Sequence, residues 1–86
     1  MKRDIKFFGV FRQHMRNASL ELEASPNMTA KELKGEIKLA LKDVSSDLNP
    51  NLVEISALST DKTVLRDTES IGQASTLYLL PPVCGG

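Results

Sequence analysis

Residues Ala30, Leu33, Ile37, Ala40, Leu41 and Val44 fall on one stripe at the helical repeat, and nothing else in the 86-residue chain is patterned this way. The stripe opens on Thr29-Ala30-Lys31-Glu32, where Thr29 at the N-cap and Glu32 three residues on have capping-box spacing. The helix is predicted to run from about Ala30 to Val44. Gly35 weakens it by up to ~1 kcal/mol relative to alanine. Lys31, Lys34, Lys38 and Lys42 project on one flank and Glu32, Glu36 and Asp43 on the other, with Leu39 pointing away, the ordinary pattern of a solvated face. A single amphipathic helix covers one face of a sheet and no more. Together with the strands read below, that gives a two-layer α+β domain.

The sheet is legible in pieces. Asp4–Phe11 is short and rich in aromatic and aliphatic residues, Arg12–Asn17 is polar and turn-like, and Ser19–Ser25 alternates with Leu20, Leu22 and Ala24 on one side. These predict a hairpin, ended by Ser25-Pro26-Asn27. Beyond the helix, Ser45–Asn51 reads as a loop marked by Asn49-Pro50-Asn51. Val53–Ser59 alternates, with Val53, Ile55 and Ala57 on one side; Asp61-Lys62 reads as a tight turn, and Thr63–Arg66 as a short strand. Asp67–Ser75 is a loop whose one apolar anchor is Ile71. Thr76–Leu80 is apolar on both faces, as expected of a strand in the middle of a sheet.

The order is β-β-α-β-β-β. The first and last strands are the most apolar, so they are expected side by side and parallel at the centre of a mixed sheet, the β-grasp arrangement. Leu22, Leu33, Ile37, Leu41, Ile55 and Leu79 are the expected core. Phe8, Val10, Tyr78 and Leu80 then point away from the helix and form a candidate docking face for a partner. If the strand phase slips by one residue, the same side chains become core instead.

Conventional catalytic equipment is not visible. His14 is the only histidine, which excludes a multi-histidine metal site, and it lies in a polar turn where a solvated ring is the ordinary reading. No serine stands in a nucleophile elbow, and Gly9, Gly35 and Gly72 are isolated, so no phosphate loop exists. Asp67 and Glu69 lie in an open loop, where carboxylates are simply ionised. No bound cofactor and no metal are expected. Lys+Arg and Asp+Glu both number 11, which gives no general attraction to nucleic acid or to an anionic membrane. One cysteine precludes an internal disulfide and suits a reducing compartment, and Met1-Lys2-Arg3-Asp4 begins neither a signal peptide nor a spanning helix. A cytoplasmic setting is expected.

The residues 81–86 stand apart from the domain of residues 1–80. Pro81-Pro82 is stiff and extended, Val83 and Cys84 follow, and Gly85-Gly86 make a thin thread with no side chain near the last carboxylate. Two glycines at a terminus arise by chance in roughly one chain in two hundred. A frayed terminus would tolerate them. The functional reading makes Gly86 the reactive group: a carboxylate that a partner activates with ATP and that then accepts sulfur or is passed to a lysine amine.

The ending Leu79-Leu80-Pro81-Pro82-Val83-Cys84-Gly85-Gly86, together with the opening Ile5-Lys6-Phe7-Phe8-Gly9-Val10-Phe11-Arg12, resembles the small, ubiquitin-like subunit of molybdopterin synthase. The resemblance extends to length and element order. It implies that a ubiquitin-activating-type enzyme, using ATP and magnesium, adenylates Gly86, and that a persulfide donor converts it to a thiocarboxylate. It further implies that the tail enters the large synthase subunit, Gly85 and Val83 threading the channel and Pro81-Pro82 setting direction, to supply the dithiolene sulfur of molybdopterin. On this reading the chain is not an enzyme by itself. Cys84 stands where the family commonly has Thr or Ser, and it either fills the same small space or takes part in sulfur handling. The alternatives are a modifier joined to lysines through Gly86 and a sulfur carrier for another biosynthetic pathway.

Overall fold

The computed structural model describes residues 1–9, 11, 19–44 and 50–82. Five strands, β1 (Lys2–Phe7), β2 (Ser19–Glu23), β3 (Ala57–Ser59), β4 (Val64–Leu65) and β5 (Thr76–Leu80), form one sheet in the order β2-β1-β5-β3-β4. Helix α1 (Ala30–Val44) and a short α2 (Pro50–Ile55) complete the elements. β1 and β5 are parallel and central, with Phe7 opposite Leu79, and the other pairings are antiparallel.

The helix forms as its sequence dictates. The Thr29 amide donates to Glu32 Oε1 at 3.0 Å and the Glu32 amide donates to Thr29 Oγ1 at 3.2 Å, a reciprocal capping box. The Ala30 and Lys31 amides, which have no partner within the helix, donate to the Glu69 and Asp67 carbonyls at 2.9 and 3.1 Å. Leu33, Ile37 and Leu41 then sit in a core with Ile5, Phe7, Phe11, Val53, Leu58, Ile71, Leu77 and Leu79. Leu20 and Leu22 pack at its margin.

Several expectations are corrected. Strand β1 stops at Phe7 rather than Phe11, because Gly9 takes a φ of +63° and turns the chain out of the sheet. Strand β2 stops at Glu23, two residues early. The segment expected to begin a strand at Val53 is helix as far as Ile55, and only Ala57–Ser59 is strand. Proline suits the first helical position, having no N–H to leave unpaired, so Pro50 opens α2 instead of marking a loop. Helical geometry turns Leu52, Val53 and Ser56 inward and Ile55 outward. Ile55, expected in the core, is 64 % exposed. Asp67 and Glu69 are exposed, as an open loop predicts, and each also has a partner: Asp67 pairs with Lys34 at 3.0 Å, and Glu69 accepts from the Arg66 amide at 2.9 Å. The predicted turn over 12–17, with His14, lies outside the described residues.

Sequence pattern gave no hint of Arg3. It is fully buried, donating from Nε to the Ala24 carbonyl (3.2 Å), from Nη1 to Ala74 (2.6 Å) and from Nη2 to Gly72 (2.6 Å). Burial pushes its pKa down from the ordinary value, yet an arginine remains charged. The guanidinium ties the end of β2 and the loop entering β5 to the first turn of β1.

Candidate functional site

Strand alternation divides the sheet into two faces. Arg3, Ile5, Phe7, Leu58, Leu77 and Leu79 turn toward α1 and are buried. Their neighbours in sequence face away from it. On this outer face β1 and β2 present charge, with Lys2 3.8 Å from Glu21 across an exposed pair, followed by Asp4 and Lys6. Over β5, β3 and β4 the same face is apolar: Tyr78 lies beside Ser59 and then Val64, and Leu80 lies beside Ala57.

The predicted docking residues gather on the apolar half. Phe8, 39 % exposed, leaves the end of β1 and sets its ring 5.9 Å from that of Tyr78, tilted by 35°. Tyr78 and Leu80 are half-buried. Their phase is outward as read, so no one-residue slip has occurred, since Leu77 and Leu79 are the buried pair. Val10 lies outside the described residues. Two members of the patch were not foreseen. Val64, 57 % exposed, and half-buried Ala57 extend it toward the sheet edge. Their outward phase was readable only once the short β3 and β4 were paired with β5.

The chain leaves the sheet next to this patch. Pro81, half-buried, and Pro82, exposed, follow β5 directly, and Val83, Cys84, Gly85 and Gly86 lie outside the described residues. Proline has no N–H for the ladder, so strand pairing ends at Leu80. The predicted tail therefore begins where the sheet stops, at the end of the strand that carries Tyr78 and Leu80.

The lysine flank of α1 proves to be a fastening. Lys34 is buried and donates to Asp67 and, at 3.4 Å, to the Glu54 carbonyl, while Lys38 pairs with the Glu54 carboxylate. The Lys38 hydrogen bond and charge hold the Glu54 carboxyl below the usual range, and the Thr29 amide does the same for Glu32. The Glu54 shift answers to a contact between α1 and α2, and the Glu32 shift to the cap of α1 itself. Among the described residues no three His, Cys, Asp or Glu side chains gather as a metal site, and no helix is long and apolar enough to cross a membrane.

No protein-family model matches the chain, and no curated protein matches it. Solved structures do. SAMP1 from Haloferax volcanii superposes with a TM-score of 0.69 at 15 % identity over all of both chains. A ubiquitin from Caldiarchaeum subterraneum gives 0.62 at 25 % identity, covering 100 % of this chain and 98 % of its own. A putative molybdopterin converting factor subunit 1 from Pyrococcus furiosus gives 0.66 at 18 % identity, covering 96 % and 99 %. With its central parallel β1–β5 pair and one main helix across a mixed sheet, this chain has the ubiquitin-like β-grasp fold of those proteins.

Proposed function

We propose that this protein is a ubiquitin-like sulfur carrier whose Gly86 carboxylate is adenylated and converted to a thiocarboxylate for molybdopterin synthesis. The observation that carries the reading is the placement of the partly exposed Phe8–Tyr78 pair near the end of β5, where Pro81-Pro82 begin the segment that ends in Gly85-Gly86. A partner that grips this patch has the tail within reach of its own active site. The fold shared with a putative molybdopterin converting factor subunit supports the same role, with the large subunit of a synthase as second partner.

The chemistry belongs to those partners. The Gly86 carboxylate displaces pyrophosphate from magnesium-bound ATP on a ubiquitin-activating-type enzyme, giving an acyl adenylate. Sulfur from a persulfide donor displaces AMP, and cleavage of the remaining S–S bond by a thiol leaves the thiocarboxylate. The chain itself supplies a leash, a docking face and one reactive carboxylate, so it is a reagent consumed and reloaded rather than an enzyme, working in the cytoplasm. In this scheme residues 1–80 are the body and 81–86 the working tail.

The test is reconstitution with ATP, magnesium, an adenylating enzyme and a persulfide donor, read by intact mass. The mass should change by one oxygen replaced by sulfur, located at Gly86. Deleting Gly86 abolishes the change, because the carboxylate falls short by about 3.3–3.6 Å of chain. Gly85→Ala impairs it by adding a Cβ where backbone must pass closely. Cys84→Ser separates the two roles of Cys84: normal loading assigns it to space-filling, and lost loading with intact folding assigns it a chemical role. A second reading is favoured by the likeness to a small archaeal modifier protein. It predicts Gly86 in amide linkage to lysines and no thiocarboxylate.

A further inference from the structure

Gly9 has a φ of +63°, and a Cβ built on it would stand 2.7 Å from Pro81 Cγ and 3.6 Å from Pro81 Cδ. A carbon–carbon approach of 2.7 Å is well inside contact distance, where attraction has turned to repulsion. The contact follows from the register. Lys6 lies opposite Tyr78 and Phe7 opposite Leu79, so two further steps along both strands set Gly9 beside Pro81. At that point both strands stop pairing, one because glycine turns left-handed and the other because proline has no N–H. Gly72, the other described glycine with positive φ, has open space at its Cβ position, so the crowding is particular to Gly9.

We propose that Gly9 is a positioning residue for the tail: its bare Cα is the seat on which the Pro81 ring rests, and this seat fixes the direction in which the chain leaves the domain. The ring holds φ at Pro81, so its placement sets the heading of the chain as it enters Pro82. A side chain at position 9 displaces the ring and re-aims the exit. The role in loading rests on the sulfur-carrier reading above, but the seat itself does not.

Gly9→Asn is the informative variant, because asparagine tolerates positive φ and so isolates the steric effect. The single cysteine, Cys84, accepts a nitroxide label in the tail, and paramagnetic broadening of backbone amides then maps where the tail travels. Gly9→Asn should shift that broadening pattern while the amides of Leu33 and Leu77 keep their chemical shifts. In a Pro81→Ala background, which lacks Cγ, adding Gly9→Asn should produce little further shift, and this non-additivity marks direct contact. An unchanged pattern, or an equal shift in both backgrounds, overturns the proposal. So does the absence of a nuclear Overhauser effect between Gly9 Hα and the Pro81 ring in the unaltered protein, a result that depends on no variant folding. With the adenylating enzyme, Gly9→Asn should lower the rate of loading, because a re-aimed exit brings the tail to the partner's site less often. If the unaltered protein is never loaded yet the broadening shifts as described, the seat stands and the sulfur-carrier reading falls.

Discussion

The central strands β1 and β5 run parallel, and their two ends are built in opposite ways. At the start, Arg3 is fully buried and spends three donors on the carbonyls of Ala24, Ala74 and Gly72, while the Asp4 amide donates to the Ser75 carbonyl at 2.8 Å. At the far end Gly9 and Pro81 halt the pairing, and Phe8 and Tyr78 lie partly open to solvent. One end is locked by polar contacts that cannot be given up cheaply. The other leaves apolar surface uncovered at the point where the chain departs. If the Phe8–Tyr78 end is the docking face proposed above, the difference separates stability from recognition along a single pair of strands. Substitutions at the two ends should therefore fail in different assays.

The largest loss of stability is expected from Arg3→Ala. It leaves three carbonyls without their charged donor, and unmet buried groups of this kind cost roughly 1–3 kcal/mol each, with partial relief from water, so about 4 kcal/mol in denaturant unfolding is expected. A loss below about 1 kcal/mol would show that the locked end is not locked. Ile37→Ala follows at roughly 3 kcal/mol, because it opens a cavity where α1 crosses the sheet beneath both ends. It checks the helix face independently of either end.

Smaller, and confined to acid, is the contribution of Glu32. Its carboxyl is held below the usual range, so its contribution is fully present above the unfolded-state glutamate value of ~4.3 and is lost as pH falls through the lower folded-state value. Glu54, shifted down by Lys38, acts in the same direction. Melting temperature should fall from pH 6 to pH 3, and Glu32→Gln, which keeps an acceptor for Thr29, should flatten part of that slope. The smallest change in stability belongs to Phe8→Ser, within about 0.5 kcal/mol for a surface position. The same variant should weaken binding to the adenylating enzyme clearly. A large drop in melting temperature with unchanged binding would move Phe8 to the core side of the comparison.

The sequence was most informative where periodicity and capping agree. Helix α1 spans the residues its stripe and capping box indicate, and β5 occupies Thr76–Leu80 as its two-sided apolarity suggested. Alternation misleads at Val53-Glu54-Ile55, because six residues are too few to separate period 2 from one and a half helical turns, and proline suits a loop and a first helical position alike, so Pro50 does not tell the two apart. Buried Ser56 and Val53 beside exposed Ile55 are the helical signature in hindsight. Arg3 had no local signal, since its carbonyl partners lie 21 to 71 residues away and a basic residue near a terminus ordinarily faces water. Gly9 was visible as a glycine, but its purpose depends on Pro81, which the parallel register brings beside it. Of the candidate site, the outward phase of Phe8, Tyr78 and Leu80 was readable from alternation, and the division of that face into charged and apolar halves was not.

The most direct measurement is intact mass spectrometry of the Cys84→Ser protein recovered from its native cells after treatment with a thiol alkylator, followed by fragmentation of the C-terminal peptide. Removal of the single cysteine leaves no side-chain thiol in the chain, so an alkyl group can report only a thiocarboxylate. A fraction alkylated at Gly86, absent when Gly86 is deleted, is the predicted result. Gly86 recovered as an unmodified carboxylate or in amide linkage to lysines of other proteins, with no alkyl group at Gly86 in either the folded Cys84→Ser variant or the unaltered protein, would contradict the sulfur-carrier role.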